Sequence, residues 1–449
     1  MNSPVSPVST GRLKIENRQF LMPISSNWLE ALQSALRAEL SSNSFPLRYA
    51  INAFSGDNAV IEATIVHCPA DHPYQKKLCL DALEAPNKKK YQIGGFCVAQ
   101  IVPTGVCCEF GGFAGDAAPV TNLLASVADY VITHPNAVNA SEINESASNV
   151  LYVEGRSLDD FLMGNLALRL VSGNRVASLI DPTGEDRAGS FVEVIDAAAS
   201  AGGIDCDLYA MFNDKVGLSI EWSDAGCAVG RVANADTILS GVDHMLSEGA
   251  DAVGCVSVID GVTKGMFEAH LKARLPNPSG GIEAIVTHLI STVFRIPTAH
   301  APLPYYDTIK ERICENPRAA AEFISLPHYF SVLKGLSRAP RFEPIDSLDT
   351  VPTDLLSLNN IAAVVAPASC LGGIPALAAH YNGIPLIAVR ENETILGVTN
   401  DAMKMDNVIE VESYLEAAGV LAALKEGIAL RSLKRPIRGA IRVEIPKDL

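Results

Sequence analysis

The sequence predicts an α/β protein in which a mostly parallel, Rossmann-like sheet region follows a smaller α+β domain. From about residue 115 onward, short apolar runs alternate with amphipathic helical stretches, the pattern of parallel strands covered by helices. Before that point, two β-rich runs flank a turn signal, the pattern of an antiparallel hairpin. The hydrophobic fraction of 48% and the charged fraction of 19% are typical of a chain that buries large cores.

The N-terminal part begins with a Ser/Pro-rich stretch, residues 1–12, that we expect to be disordered. An α+β domain is predicted over residues 13–112. It contains a helix over about 27–40, with Ser25 or Ser26 as its N-cap. The predicted strands of this domain are residues 47–54, 59–67 and 91–101.

The predicted α/β domain covers residues 113–338 and alternates strands with helices. We expect helices at 236–248, after Ser279-Gly-Gly281, and from Asn316-Pro317, where proline fits the first helical position. Asp116 is the expected N-cap of an earlier helix. The predicted strands here and in the following unit are residues 130–133, 150–153, 176–180, 208–212, 253–259, 298–299, 361–366 and 386–389.

A linker is predicted over residues 339–354, which contain three prolines. Residues 355–449 form the last predicted unit, a strand–loop–helix–strand segment whose two strands pair in parallel. The sequence leaves open whether this unit extends the same sheet or forms a second lobe.

Charge and composition exclude several classes of function. The chain has 449 residues, with 35 Lys+Arg against 51 Asp+Glu and a formal net charge of −16, so nucleic-acid backbone is not an expected partner. No apolar run approaches the roughly 18–20 residues of a membrane span, and the N-terminus lacks signal-peptide features. Ten cysteines without a C-x-x-C motif suit a reducing compartment. We therefore predict a cytoplasmic protein that does not bind membranes; a homo-oligomer is compatible with the sequence.

Polar residues cluster directly after several predicted strands. In open parallel sheets, ligands bind outside the carboxyl ends of the strands, so these residues are the site candidates. No dinucleotide fingerprint, Walker A motif or metal-ligand spacing accompanies them, so no cofactor and no metal are predicted. The catalytic candidates are His134, Asp181, Asp260, His300 and Cys370. The substrate-binding candidates are Asn136, Asn139, Lys264, Ser369, Gly372, Gly373 and Arg390.

Turn chemistry or simple burial would also explain several of these residues. The most specific segment is residues 367–375, where two glycines precede a helix whose first amides suit an anion. Cys370 would be a nucleophile if this position lowered its pKa, although a buried structural thiol is the commoner outcome. His288 lies opposite the apolar stripe of its helix, which favours exposure or a domain contact over catalysis.

Three blocks of the sequence resemble a known family. They are Asp116-Ala-Ala-Pro with residues 129–139, residues 280–288 with 296–302, and Cys370-Leu-Gly-Gly-Ile-Pro375. Together they resemble the DUF3326 family of cyanobacteria and other bacteria, over roughly residues 100–400. The resemblance implies a domain extent but no activity.

The strand-end residues favour an enzyme that acts on a small anionic metabolite by acid–base chemistry without a redox cofactor, as a hydrolase, lyase or isomerase. In this hypothesis His134 and His300 transfer protons, Asp181 and Asp260 assist them, and Lys264 with the Gly372-Gly373 turn holds the anion. A non-catalytic metabolite-binding or regulatory protein is one alternative. A group-transfer enzyme of two-lobed, glycosyltransferase-like architecture is another.

Overall fold

A computed structural model shows how these segments are arranged. It describes residues 11–80, 83, 86–89, 94–134, 146–182, 185–273, 275–303, 316–320 and 328–443. The mixed α/β class is confirmed, with two parallel sheets that follow a smaller antiparallel sheet.

The N-terminal region is a three-stranded antiparallel sheet with one long helix. Strands β1 (Lys14–Pro23), β2 (Ser44–Ser55) and β3 (Asn58–His67) pair in the order β1-β3-β2, and β2 and β3 form the predicted hairpin. Helix α1 (Trp28–Glu39) buries its apolar stripe. Its N-cap position is Asn27 and not Ser25 or Ser26.

A six-stranded parallel sheet forms the centre of the molecule. Its order is β18-β17-β16-β4-β5-β6, so the chain runs outward from β4 in one direction and outward from β16 in the other. This is the doubly wound order of a Rossmann-like sheet, with its topological switch point between β4 and β16. The strands are β4 (Cys97–Gln100), β5 (Tyr130–Thr133), β6 (Val150–Tyr152), β16 (Ile361–Pro367), β17 (Leu386–Val389) and β18 (Val408–Val411).

A second parallel sheet has four strands in the order β14-β12-β8-β9. The molecule therefore contains two separate parallel sheets, and the strands of residues 355–449 lie in the six-stranded one, where β16 pairs with β4. The strands of the second sheet are β8 (Val176–Ile180), β9 (Leu208–Met211), β12 (Ala252–Ser257) and β14 (Thr298–Pro302).

The molecule also contains two small sheets. One contains β10 (Leu218–Trp222), β11 (Ala228–Val232) and β13 (Ile259–Asp260), and the other pairs β7 (Leu166–Arg169) with β15 (Arg341–Pro344). Strand β15 lies within the predicted linker, where residues 341–344 are held by antiparallel pairing to β7. The predicted domain boundaries stay predictions, but the central sheet crosses them, because β4 pairs with β16.

The helices cover these sheets. The helix at Gly280–Phe294 contacts β2 of the N-terminal sheet, β11, β14 and the helix at Gly155–Leu162. The helices after α1 are α2 (Gln75–Leu80), α3 (Ala118–Ala125), α4 (Gly155–Leu162), α5 (Glu185–Ser200), α6 (Ala235–Ser247), α7 (Lys264–Leu271), α8 (Gly280–Phe294), α9 (His328–Arg338), α10 (Ile374–Tyr381), α11 (Asn400–Met403) and α12 (Tyr414–Lys425).

Two predicted helix starts differ in detail from the structure. Asp116 does not cap α3, whose N-cap position is Ala117. Its carboxylate instead accepts hydrogen bonds from the amides of Gly111 and Phe113 and from the Arg318 guanidinium. At Asn316-Pro317 the expected cap is present, but the described helix is a single 3-10 turn, Pro317–Ala319.

None of the described helices combines the length and the apolar character that a bilayer crossing requires. The nine cysteines in the described part of the chain are all free thiols, and six of them are buried.

Candidate functional site

A cavity of about 190 Å³ lies outside the carboxyl ends of β4 and β16, at the switch point of the central sheet. Ile101 and Thr104 follow β4, and Ala366 and Cys370 belong to the end of β16 and the loop after it. Strand β2, the first two turns of α4, the first three turns of α8 and the first turn of α10 form the other walls. The cavity therefore occupies the place where ligands bind in doubly wound sheets.

Glu154 is a buried carboxylate at one wall of this cavity, with only 2% of its surface exposed. It follows β6 and is the N-cap of α4, where it accepts hydrogen bonds from the amides of Arg156 and Ser157. Two hydroxyls of α8, Thr287 and Ser291, also donate to it. This carboxylate is thus fixed from two helices.

His288 is held by Glu154. Its Nδ1 lies 2.5 Å from Glu154 Oε1, and the imidazole is 14% exposed. Burial alone would raise the pKa of Glu154, but His288, Ser291 and the Ser157 amide together lower it, so the group is a carboxylate. A carboxylate beside Nδ1 favours the tautomer that carries its proton on Nδ1, which leaves Nε2 as a hydrogen-bond acceptor.

His134 is the second imidazole of the cavity and directly follows β5. Burial lowers its pKa to about 4, an effect that Glu154 opposes and His288 reinforces. Close to neutral pH this ring is therefore neutral, with a lone pair on one nitrogen.

Gly155 lies between the two histidines. A side-chain carbon at this position would be 2.9 Å from His288 Cε1, 3.5 Å from His288 Nε2 and 3.9 Å from His134 Nδ1. The two imidazoles therefore approach one point, and only glycine leaves that point open.

Arg48 and Asp159 add one cation and one carboxyl to the cavity wall. Both side chains are half-buried, and neither makes a side-chain hydrogen bond or close ion pair with another residue in the described ranges. Burial raises the pKa of Asp159 well above its usual value, although Arg156 opposes this, so Asp159 keeps its proton to unusually high pH. The cavity lining thus combines two imidazoles, a carboxyl group with a raised pKa and an arginine.

Three of the predicted site residues line the cavity, namely His134, Cys370 and Gly373. Burial, with a smaller effect of Cys227, raises the pKa of Cys370 to about 12, so the thiol is not activated in the way its position suggested. Gly372 lies beside the cavity but packs against β2, where the Ile51 amide donates to its carbonyl. A side-chain carbon on Gly372 would be 1.9 Å from the Ile51 carbonyl oxygen.

His300 and Asp181 are both fully buried, away from the cavity lining. His300 Nδ1 lies 3.6 Å from Glu283 Oε2 of α8, and burial lowers the pKa of His300 to about 3. Asp181 directly follows β8, at the carboxyl end of the second sheet. Neither residue is among those that line the cavity with His134.

Four other candidates lie outside the described cavity lining. Asp260 is 53% exposed and pairs with Lys215 at 3.0 Å, and Lys264 is the exposed first residue of α7. Ser369 bonds to Thr394, with 2.9 Å between the hydroxyls. Arg390 is exposed and pairs with Glu410 and Glu412, so its charge is already neutralised. Asn136 and Asn139 lie outside the described residues.

The charged and histidine residues of the cavity that were not assigned to the site from the sequence are Arg48, Glu154, Asp159 and His288. Glu154 could have been predicted from the sequence, because it lies two residues after the carboxyl end of β6, where site residues are expected. His288 was placed on the correct helix face, but the buried carboxylate opposite that face was not anticipated. Within the described ranges, no group of three or more His, Cys, Asp or Glu side chains is arranged so that it could hold a metal ion.

Comparisons with known proteins confirm the family resemblance. The model of a family described as "Protein of unknown function (DUF3326)" matches residues 97–434. An uncharacterized lipoprotein of Synechococcus sp. is 33% identical over 334 residues, which are 73% of this chain and 90% of that protein. No solved structure matches the chain.

Proposed function

The chain belongs to the DUF3326 family, and we propose that it is an enzyme that uses the cavity at the switch point for acid–base chemistry on a small anionic metabolite. The observation that carries the proposal is the contact of His288 with the buried carboxylate of Glu154. Gly155, the next residue, lies between His288 and His134. A base oriented by a carboxylate is a recurring arrangement for proton transfer.

In the proposed reaction, His288 Nε2 takes a proton from the substrate, and Glu154 stabilises the imidazolium that forms. His134, which is neutral near pH 7, serves as a second acceptor or returns a proton through its protonated nitrogen. Asp159 is the proposed proton donor to the leaving or rearranging group. This assignment fits a hydrolase, lyase or isomerase.

Arg48 is the proposed anion-binding residue. Arg48 is half-buried and lines both the cavity and the outer groove of the antiparallel sheet, and within the described part of the chain it makes no close ion pair. A guanidinium offers five N–H donors in a geometry that suits carboxylate and phosphate groups. The small cavity volume limits the substrate to a metabolite or to the reacting end of a larger molecule.

The test is to incubate the purified protein with a mixture of anionic metabolites and to follow depletion and product formation by mass spectrometry. We expect conversion of one compound by the wild type and a loss of at least about 100-fold for His288→Asn. Conversion that both His288→Asn and His134→Asn leave unchanged would refute the assignment. Thermal stabilisation by a metabolite without conversion would favour the alternative of a binding or regulatory protein.

We also propose that the protein works in the cytoplasm, because the adjacent thiols of Cys107 and Cys108 and the other described cysteines are all free. The name of the Synechococcus relative, a lipoprotein, supports the opposite location for that protein. Fractionation of cells that express the full-length protein decides between them. Recovery with the cytosolic enzymes supports the proposal, and recovery with a lipid-labelled membrane fraction contradicts it.

A further inference from the structure

Residues 428–443, here called the basic segment, extend beyond α12 and cover none of the core. It includes a 3-10 turn, Leu430–Leu433, and residues 437–443 have no regular secondary structure. Within the described part of the chain, residues 436–443 make no side-chain hydrogen bond or ion pair. Large apolar side chains are nevertheless exposed in it, including Ile437 at 61%, Ile441 at 83% and Val443 at 82%.

The sequence of the basic segment has the period of a β-strand. From Ile437 to Val443, apolar or small residues occupy every odd position, and Arg438 and Arg442 occupy even positions. Successive side chains of a strand point to opposite faces, so this pattern gives one apolar face and one cationic face. An exposed segment with this pattern has no surface against which its apolar face packs and no strand with which its backbone pairs.

The positive charge of the basic segment favours an acidic partner, and the chain itself is acidic. The basic segment contains five basic residues and no acidic residue, whereas the whole chain has 35 basic and 51 acidic residues. The body of one molecule therefore attracts the basic segment of another.

The outer edge of β9 has the matching properties. It is a terminal strand of the four-stranded sheet, and no described strand pairs with its outer side. Tyr209 in this strand is 50% exposed. Exposed carboxylates flank the strand: Asp205 and Asp207, which share a pairing with Arg175, lie before it, and Asp214 lies after it. Apolar contact, backbone pairing and opposite charge are thus all available at one edge.

We propose that residues 437–443 of one molecule add as an edge strand to β9 of a second copy of this chain. Reciprocal exchange between two molecules gives a closed dimer with two identical contacts. An anionic membrane surface is the less favourable partner, because it offers no backbone hydrogen-bond partners to an extended segment. Pro436 and Gly439 also disfavour the amphipathic helix that such surfaces usually bind.

The test is a charge exchange between the two surfaces, followed by light-scattering mass measurement of the full-length chain at low ionic strength. We expect the wild type to be a dimer that dissociates as salt is raised. Arg438→Glu with Arg442→Glu should halve the mass, and so should Asp205→Lys with Asp214→Lys. An equimolar mixture of the two variants should recover the dimer, because both contacts then join opposite charges.

The control variant carries Lys76→Glu and Lys404→Glu, which remove two exposed cations elsewhere, and it should stay dimeric. A wild type that is monomeric at high protein concentration would overturn the proposal. A dimer that ignores either pair of substitutions, or variants that do not recover the dimer on mixing, would overturn it too. Monomers that instead bind phosphatidylserine vesicles through the arginines would assign the basic segment to a membrane.

Discussion

At the scale of single residues, Glu154 connects folding with the proposed chemistry. The same carboxylate caps α4 and contacts His288, so the start of one helix fixes the orientation of an imidazole on another. Hydroxyls from α8 complete the set of donors. These hydrogen bonds therefore fix the Glu154 side chain independently of His288.

Glu154→Gln keeps the shape of this side chain and removes its charge. We expect turnover to fall by about 100-fold, because the imidazolium of His288 loses its stabilising carboxylate. The free energy of unfolding should fall by about 1 kcal/mol from the weakened helix cap. Ser291→Ala is the matched control, since it removes one donor to Glu154 and retains the charge; turnover that drops equally in both variants would contradict the assignment.

His134 gives the molecule a specific dependence of stability on pH. Its pKa is lowered from 6.5 to about 4, so between these values the unfolded chain binds more protons than the folded one. The stabilising effect of the neutral ring is complete above pH 6.5 and is lost as the pH falls to about 4. One pKa unit corresponds to about 1.4 kcal/mol, so lowering the pKa from 6.5 to about 4 corresponds to a loss of roughly 3 to 4 kcal/mol.

This dependence can be measured by denaturant unfolding at pH 7 and at pH 4.5, with His134→Gln as the comparison. The wild type should lose more stability than the variant over this interval, because the variant has no proton to bind at this position. Parallel losses in the two proteins would show that His134 is not held neutral by burial.

The residue scale also shows what the sequence could predict about the site. His134, Cys370 and Gly373 were identified because they follow strands, and all three line the cavity. Arg48 could not be found this way, because it comes from the antiparallel sheet and reaches the cavity only through tertiary packing. Asp260 and Arg390 also follow strands, but they are exposed and paired with opposite charges.

At the scale of secondary-structure elements, the contact between β2 and the loop after β16 closes the cavity. Ala50 forms a bridge with Gly373, and the Ile51 amide donates to the Gly372 carbonyl. The glycines were expected to let a ligand approach the backbone, but at Gly372 it is β2 that approaches. The N-terminal sheet is thus part of the site wall.

Gly372→Ala should destabilise the protein strongly, because the new carbon would be 1.9 Å from the Ile51 carbonyl oxygen. We expect a loss of about 3 kcal/mol in the free energy of unfolding, in the range of severe packing substitutions. Gly373→Ala is the matched control. Its new carbon would be 3.6 Å from Pro375 Cδ, an ordinary contact, so its loss should be below about 1 kcal/mol. Equal losses would contradict this explanation.

The predicted elements were most accurate where the pattern was long or strongly apolar. Residues 130–133, 176–180 and 386–389 are strands with those bounds, and α6 and α8 were also expected. Strands such as β7 and β15 were missed because they are short and partly polar, and because their pairing joins distant parts of the chain. Local sequence carries little signal for such pairs.

At the scale of the whole molecule, the net charge of −16 restricts how an anion can bind. The overall field repels an anionic substrate, so affinity must come from local donors. Lys264 and Arg390 were candidates for this role, but they lie outside the described cavity lining. Arg48 is the cation that the fold brings into it.

Arg48→Met should therefore weaken binding of the substrate by about 10- to 100-fold, the effect of losing a charged hydrogen-bond donor. Its apolar stem would still fill the wall. Arg18→Met is the control, because Arg18 lines an outer groove on the same antiparallel sheet and not the cavity. Isothermal titration with the substrate measures both variants, and unchanged affinity for Arg48→Met would remove Arg48 from the site.

The central claim is that the Glu154–His288 pair transfers protons between a bound metabolite and solvent. The most direct measurement is isotope incorporation from deuterated, oxygen-18-labelled water into an anionic metabolite mixture, followed by mass spectrometry. We predict that the wild type labels one metabolite or its product, and that His288→Asn and Glu154→Gln, although folded, label it at least about 100-fold more slowly. Labelling at the wild-type rate by both variants would contradict the claim.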